Sequence, residues 1–224
     1  MVVNLLRRAF GIHSGRMSFD EIKGLVGRDD AVILEIGAND GSDSQRFAET
    51  FPRGRIFSFE PDPRAIARWK ATVTAKHVTL VETAIGNENG TITFHQSDGE
   101  VQDGPGTGWD LSGSIRAPKQ HLERHPHIKF ENTIDVPIRT LDSWAAETGI
   151  DRIDFLWADV QGAEKDLIRG AAETLAKTRY FYTEYDNREM YEGQWGLDQI
   201  AANLPHHRIV KRWKQDVLFG LKEG

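Results

Sequence analysis

The sequence predicts an α/β domain built on a mostly parallel, doubly wound sheet, with its ligand site at the carboxyl ends of the strands. Three observations support this prediction. Apolar strand-like runs alternate with helical segments, a glycine-rich turn joins the first strand to a helix, and a carboxylate ends the second strand. A chain of 224 residues is long enough for one such domain with a sizeable buried core.

A capped helix and a buried strand open the predicted domain. Residues 18–21 form a capping box that begins the helix. The apolar run leading into residues 31–36 is typical of a buried strand. Gly37 and Gly41 then allow a tight turn, and a second helix is expected to begin at Ser42. The free N–H groups of that helix face the same crevice as the turn.

The composition of this turn favours one class of ligand. A dinucleotide-binding turn carries three glycines, G-x-G-x-x-G, because a pyrophosphate lies directly on the helix N-terminus. Asn39 takes the place of the middle glycine, and Glu35 would repel a pyrophosphate but attract an ammonium group. Glu35 with Gly37, Ala38, Asn39 and Gly41 therefore suits S-adenosylmethionine (SAM), which has an amino group and no phosphate. The alternative is a plain strand-to-helix turn.

A second buried strand is predicted over residues 55–59, and Glu60 follows it directly. The spacing from Gly41 to Glu60 leaves room for one short helix and the return strand. A carboxylate at this point can accept hydrogen bonds from both ribose hydroxyls, a role that NAD and SAM folds share. Pro63 then begins the next helix, where its missing N–H costs nothing.

The adenine is expected between the tips of the second and third strands. A third strand near residues 79–84 brings Thr83 and Ala84 to its tip, opposite Pro61 and Asp62. Ala84 is small where a planar base must approach the backbone. We therefore predict that these four residues contact the cofactor.

The remaining elements continue the alternation of strands and helices. Helices are expected over residues 42–50, 63–75 and 163–176, and further strands near 153–159, 180–185, 207–212 and 217–221. The last two strands are separated by a short polar turn and predict an antiparallel closing hairpin. These four strands and the three predicted before them make a sheet of seven.

Residues 97–133 do not fit this alternation and are predicted to form an inserted cap. Residues 91–96 alternate as a strand that can pair as a hairpin, but the following segment is rich in glycine and has no hydrophobic period. A long loop inside a compact domain is usually functional or disordered, so this segment is a candidate lid or acceptor-binding cap. His121, His125 and His127 are interpreted as exposed residues of a solvated helix end rather than as metal ligands.

Two strand tips supply the candidate catalytic residues. The strand near 153–159 delivers Asp159, and the strand near 180–185 ends with Glu184. Ligands of open α/β sheets bind outside such tips. A carboxylate there can take or orient the proton of an acceptor hydroxyl, so Asp159 and Glu184 are predicted to be catalytic and Asp159 also to contact the cofactor. The alternative is that Asp159 only caps the following helix.

A divalent cation is a further alternative at the same tips. Asp159 with Asp186 and Asn187 resembles the ligand arrangement of catechol-type, metal-dependent O-methyltransferases. Hard oxygen ligands of this kind suit Mg²⁺. The pattern leaves Mg²⁺ unproven, and two carboxylates shared by substrate hydroxyls are the simpler account.

Composition excludes several other classes. The net charge is −6 and no long basic stripe occurs, which argues against a nucleic-acid partner. The absence of cysteine removes disulfides, thiolate nucleophiles and thiolate metal sites. No apolar stretch approaches the ~20 residues that span a bilayer, and residues 1–10 are too short and interrupted for a signal peptide. We expect a cytoplasmic protein in which an N-terminal helical segment, residues 1–30, packs on the domain of residues 31–224.

Taken together, these motifs resemble the FkbM-type SAM-dependent methyltransferases over roughly residues 30–220. The matching stretches are residues 34–41, 57–63, 83–86, 90–94, 111–115, 139–142, 153–164 and 170–171. The resemblance implies a class I methyltransferase (Rossmann-like) fold, SAM as cofactor and O-methylation of a hydroxyl on a sugar, glycan or natural product. The sequence departs from the family at Trp157, where members usually carry a lysine, and at Gln161, where many carry a glutamate.

Two other functions stay open at this point. A nicotinamide-dependent oxidoreductase is disfavoured by Asn39 and by the lack of a Tyr-x-x-x-Lys pair after the fourth strand. A SAM-binding module without catalysis is supported only by the missing lysine at Trp157. The expected partner is a small-molecule or glycan acceptor, and a homo-oligomer is compatible with the sequence.

Overall fold

The computed structural model describes residues 16–99 and 109–222. Residues 1–15 of the predicted N-terminal segment 1–30 and residues 100–108 of the predicted cap lie outside the described residues. The helices and strands are α1 (Phe19–Val26), β1 (Val32–Ile36), α2 (Ser42–Thr50), β2 (Arg55–Phe59), α3 (Pro63–Thr72), β3 (Val78–Val81), β4 (Ala84–Ile85), β5 (Gly90–Gly99), α4 (Gln120–Arg124), β6 (Ile128–Arg139), α5 (Leu141–Thr148), β7 (Phe155–Ala158), α6 (Glu164–Arg169), α7 (Ala172–Leu175), β8 (Tyr180–Glu184), α8 (Leu197–Ala202), β9 (His207–Arg212) and β10 (Asp216–Leu221).

The main sheet has seven strands in the order β3-β2-β1-β7-β8-β10-β9. Neighbouring strands from β3 to β8 pair in parallel, and β10 pairs antiparallel with both β8 and β9. This confirms the predicted α/β fold with a mostly parallel seven-stranded sheet and a C-terminal antiparallel hairpin. The strand order reverses between β1 and β7, and ligands of such sheets bind in the crevice at this point.

A second, smaller sheet holds β4, β6 and β5. The predicted strand at residues 91–96 is longer than expected, since β5 runs to Gly99 and pairs antiparallel with β6. β6 was not predicted, and its residues 128–133 were assigned to the loop of the cap. Its side chains are mostly exposed or half-buried, so the alternation of apolar and polar residues is weak, and Pro137 interrupts it.

The two faces of the main sheet are covered by separate apolar clusters. One contains Leu34, Leu156 and Phe181, and the other contains Phe155 and Trp157. Side chains alternate between faces along each strand, which explains this division. Trp157 is buried in the second cluster at 4.4 Å from the ring of Tyr182, so the residue that departs from the family pattern is a core residue.

Local details confirm some helix boundaries and correct another. Ser18 and Glu21 cap each other at the start of α1, as predicted. The helix expected over residues 163–176 is instead two short helices, α6 and α7. A Cβ on Gly170, between them, would lie 1.9 Å from the carbonyl oxygen of Gly86, and this close approach coincides with the break. Among the described residues no helix is long and apolar enough to cross a membrane.

Candidate active site

A cavity of about 950 Å³ opens at the carboxyl ends of β1, β2, β7 and β8. The smaller sheet and residues 109–115 form its other wall. The cavity lining includes these residues predicted from sequence: Glu35, Gly37, Ala38, Asn39, Glu60, Pro61, Asp62, Thr83, Ala84, Asp159 and Glu184. Gly41 does not line the cavity. The structure therefore brings the predicted cofactor and catalytic residues together with that one exception.

The turn after β1 is held by close backbone contacts. Gly37 has φ +86°, and a Cβ there would lie 2.0 Å from the carbonyl oxygen of Asp159. Gly41 has φ +78°, and a Cβ there would lie 2.7 Å from Cδ1 of Trp69. Gly37 therefore lets the turn touch the tip of β7, whereas Gly41 is required by packing on α3. Both positions demand glycine for backbone reasons, independent of any ligand.

Glu35 lies beneath this turn. It is buried, and its Oε2 accepts hydrogen bonds from the hydroxyls of Ser44 and Ser58, the latter at 2.9 Å. Burial raises the pKa of Glu35 to about 8. Near neutral pH the side chain is therefore largely protonated, and it acts as a hydrogen-bonding group more than as the fixed negative charge that the sequence suggested.

Glu60 connects the turn after β1 with the segment that follows β2. Its Oε2 accepts from the Asn39 N–H at 2.8 Å, and its Oε1 accepts from the Asp62 N–H at 2.9 Å. Burial raises the pKa of Glu60 to about 7, against the opposing effect of these two backbone donors. Each carboxylate oxygen has a second lone pair, so Glu60 can still accept from ligand hydroxyls.

The wall near Asp62 also carries charges that the sequence analysis did not identify. Arg64 pairs with Asp62 at 2.7 Å, and Arg68 pairs with Asp110 from the cap segment. Asn39 Nδ2 lies 3.5 Å from the carbonyl oxygen of Asp110. These contacts tie the cap to α3 and to the turn. No spacing in the sequence points to them.

Ala84, the predicted adenine contact, belongs to the smaller sheet and not to the end of β3. It lies in β4, buried with Phe94, Val136 and Ile138 in the core of the smaller sheet. Thr83 donates its hydroxyl to the Pro137 carbonyl at 3.0 Å. Both residues line the cavity edge, where β3 ends and the smaller sheet begins.

Asp159 is held by its neighbours at the tip of β7. Its N–H donates to the Ile36 carbonyl at 2.9 Å, and its Oδ1 accepts from Gln161 Nε2 at 2.6 Å. Gln161 has φ +48°, an unusual conformation for a residue with a side chain. The alternative role of helix cap is wrong, because Ala163 is the N-cap of α6 and no side chain caps that helix.

A hydrogen-bonded chain extends from Asp159 to the cap. The Tyr191 hydroxyl lies 3.2 Å from Gln161 Oε1 and donates to the Ser112 carbonyl at 2.8 Å. Tyr191 is buried, and its ring would meet any Cβ on Gly162 at 2.6 Å. Tyr191 was not predicted from the sequence, because it lies far along the chain from the residues it contacts.

Glu164 is a further buried carboxyl that the sequence analysis did not assign. Its Oε1 accepts from the Gly162 N–H at 3.2 Å, while Oε2 is buried and has no hydrogen-bond partner in the part of the chain that the structure describes. Burial raises the pKa of Glu164 to about 7. The residue lines the cavity beside Asp159, and its place in the matched 153–164 stretch is the signal that could have found it.

The histidine prediction is wrong at one position. His125 and His127 are exposed, but His121 is buried between the rings of Phe130 and Tyr191, at 5.2 and 5.4 Å. Burial lowers the pKa of His121 to about 4, so the ring is neutral at physiological pH.

The residues of the metal alternative have other partners. Asp186 pairs with Arg188, and Asn187 Oδ1 accepts from the Leu197 N–H at 3.0 Å. Within residues 16–99 and 109–222 no group of three or more His, Cys, Asp or Glu side chains could hold a metal ion.

Comparisons with known proteins agree with the resemblance seen in the sequence. The family model described as the methyltransferase FkbM domain matches residues 35–211. The 2-O-methyltransferase NoeI of Sinorhizobium fredii is 47% identical over 198 residues, which cover 88% of this chain and 80% of that protein. The AMB antimetabolite synthetase AmbE of Pseudomonas aeruginosa is 27% identical over 87% of this chain, but over only 10% of its own length.

Two solved structures have a similar backbone at low sequence identity. Aeropyrum pernix fibrillarin in complex with SAM is 15% identical with a TM-score of 0.46, covering 87% of this chain and 68% of that one. A putative rRNA methylase from Clostridium thermocellum is 12% identical with a TM-score of 0.48, covering 92% and 94%. At these TM-scores the likeness supports no conclusion beyond the strand order already described.

Proposed function

The chain belongs to the FkbM methyltransferase family and is a SAM-dependent O-methyltransferase, and on that premise we propose that its acceptor is a hydroxyl group of a sugar or glycan. The name of the 2-O-methyltransferase NoeI supports oxygen as the atom that receives the methyl group. The sugar class is supported by the resemblance to a family that includes glycan O-methyltransferases and by the lining of the cavity.

The residues present fit SAM. Gly37 places no side chain in the turn, and Glu164, which lines the cavity, has a buried oxygen without a hydrogen-bond partner among the described residues. We assign the ribose to Glu60 and the adenine to the edge formed by Asp62 and Ala84. When bound, SAM supplies a methyl group activated by a sulfonium sulfur.

The observation that carries the proposal is the continuity of the cavity. Its volume of about 950 Å³ lies near the upper end of the ~300–1,000 Å³ range of small-molecule sites, which leaves room for an acceptor beside the cofactor. The lining of the same cavity also includes Trp109, Ser112, Ser114, His121 and Tyr191. Aromatic faces together with hydroxyl and imidazole groups suit a ring that carries several hydroxyls.

Asp159 lines the cavity at the tip of β7, and we assign it the proton transfer. Gln161 holds Oδ1, so the other carboxylate oxygen is assigned to the acceptor hydroxyl. Asp159 would take the proton of the acceptor hydroxyl when bound SAM supplies its methyl group to that oxygen. Glu184, at the neighbouring tip, is assigned to a second acceptor hydroxyl. Positioning the two reactants in line supplies much of the rate enhancement.

This assignment uses the chain's own carboxylates and leaves the metal alternative to a direct test. Turnover by protein treated with EDTA should equal that of untreated protein. Loss of turnover that returns on addition of Mg²⁺ would establish the metal-dependent alternative instead.

The acceptor class is tested with SAM and a panel of hydroxyl compounds. Formation of S-adenosylhomocysteine should depend on the presence of a sugar or oligosaccharide and should be absent with amine acceptors of similar size. Calorimetric titration with SAM and with NAD distinguishes a methyltransferase from a nicotinamide-dependent oxidoreductase, since only SAM should bind. SAM binding without turnover on any acceptor would favour the non-catalytic module.

A further inference from the structure

Arg16 enters the cavity from the segment before α1. Its guanidinium carbon lies 4.3 Å from the ring centroid of Trp157, and its Nη2 lies 3.4 Å from Asp43 Oδ2. The adjacent backbone is fixed, because the Met17 N–H donates to the Tyr182 hydroxyl at 3.2 Å and Ser18 caps α1. Stacking, an ion pair and an anchored backbone together hold the guanidinium at the cavity wall.

One nitrogen of this guanidinium is left without a partner. Among the described residues Arg16 Nε is buried and has no hydrogen-bond partner, although Arg16 lines the cavity. Buried donors are almost always satisfied, and an unsatisfied one calls for an explanation. An arginine that presents Nε and a terminal nitrogen side by side forms the planar fork that binds a carboxylate through two parallel hydrogen bonds.

The position of Arg16 in the cavity indicates which ligand carboxylate it would bind. The described lining residues include no lysine and two other arginines, Arg64 and Arg68, and both lie on α3 in ion pairs with Asp62 and Asp110. Arg16 instead pairs with Asp43 in the first turn of α2, the helix that follows the turn after β1.

The turn after β1 is where we place the amino-acid part of SAM. We propose that Arg16 binds the α-carboxylate of SAM through Nε and the adjacent Nη2, which leaves the second N–H of Nη2 for Asp43. This inference rests on the proposed function.

The stacking of Arg16 on Trp157 explains why this chain has a tryptophan where the family pattern has a lysine. The family resemblance places a lysine there, whereas Trp157 is buried and carries the Arg16 guanidinium on its ring. The cation at this point of the cavity comes from Arg16, in the segment before α1. A stacked arginine over an aromatic face is a favourable arrangement.

The test compares SAM with decarboxylated SAM, which keeps the ammonium and sulfonium groups and lacks only the carboxylate. Affinities are measured by calorimetry on the full chain. Wild-type protein should bind SAM more tightly than decarboxylated SAM. Arg16→Gln should weaken SAM binding roughly ten- to hundredfold, the loss expected for a charge-assisted hydrogen bond, and should leave decarboxylated SAM nearly unchanged. Arg16→Lys keeps the charge without the fork and should bind SAM with intermediate affinity.

Arg46→Gln is the matched control. Arg46 also pairs with Asp43, at 3.7 Å, and stacks on an aromatic ring, that of Phe19 at 4.1 Å. It does not line the cavity. This variant should bind both ligands like wild type, and its thermal unfolding should show whether loss of an Asp43 partner alone disturbs the fold.

Each outcome decides the inference. Equal weakening of both ligands by Arg16→Gln would assign Arg16 a structural role and overturn the proposal, as would unchanged SAM affinity or equal wild-type affinity for the two ligands. Failure of wild-type protein to bind SAM at all would refute the proposed function itself, a result distinct from the other three. Selective loss of SAM affinity supports the proposal.

Discussion

Replacing Glu60 by glutamine should weaken SAM binding by about 2 kcal/mol, roughly thirtyfold. Glu60 uses both oxygens on backbone donors, Asn39 N–H at 2.8 Å and Asp62 N–H at 2.9 Å, and we assign both to the ribose hydroxyls as well. Glutamine has only one carbonyl oxygen, so one backbone donor faces an amide NH₂ and one ribose hydroxyl loses a charged acceptor. A single hydrogen bond to a charged group accounts for the expected loss.

The same residue should make SAM affinity depend on pH. Burial raises the pKa of Glu60 to about 7, so the side chain is mostly protonated below that pH and mostly ionised above it. The ionised form is the better acceptor. Wild-type affinity should therefore increase as pH rises through about 7, and this component should be missing in Glu60→Gln.

Calorimetric titration at several pH values measures both effects. Glu49→Gln, which neutralises an exposed carboxylate on α2 outside the cavity, is the control and should match wild type. Thermal unfolding of each variant checks that the fold is retained. A Glu60→Gln protein that bound SAM as tightly as wild type at alkaline pH would refute the ribose assignment.

Three further predictions concern catalysis and stability. Asp159→Asn should lower turnover ~10²-fold or more with unchanged SAM affinity, because the amide cannot take a proton, and equal turnover in steady-state assays would reject Asp159 as the base. Gly37→Ala should lower the melting temperature sharply, since its Cβ would lie 2.0 Å from the Asp159 carbonyl oxygen, and an unchanged melting curve would contradict that contact. Glu35→Gln should make stability less dependent on pH. Burial raises the pKa of Glu35 from 4.5 to about 8, so the stability it contributes is complete below the lower value and is lost as pH rises to the higher one. Parallel pH profiles of melting temperature for variant and wild type would refute this.

The parts of the site that the sequence predicted depend on short, local rules. The glycines of the β1 turn follow from backbone geometry, and a Cβ on Gly37 would lie only 2.0 Å from the Asp159 carbonyl oxygen. Glu60 and Asp159 were predicted from their positions at strand tips, because parallel strands bring their carboxyl ends to one edge. These rules need no knowledge of distant contacts.

The residues that the sequence missed depend on contacts between distant segments. Arg16 meets Trp157 across the domain, and Tyr191 reaches Gln161 and the cap, with no spacing that could signal either contact. His121 was expected to be exposed because its covering residues, Phe130 and Tyr191, come from other elements.

The central claim is that this cavity joins a SAM methyl group to a sugar hydroxyl with Asp159 as the base. The most direct test incubates the protein with SAM carrying an isotopically labelled methyl group and a sugar acceptor, and locates the label in the product by NMR. The label should appear as an O-methyl group at one ring position with wild-type protein, and at a rate ~10²-fold lower or less with Asp159→Asn. Label on nitrogen, or no transfer to any hydroxyl acceptor by protein that binds SAM, would contradict the account.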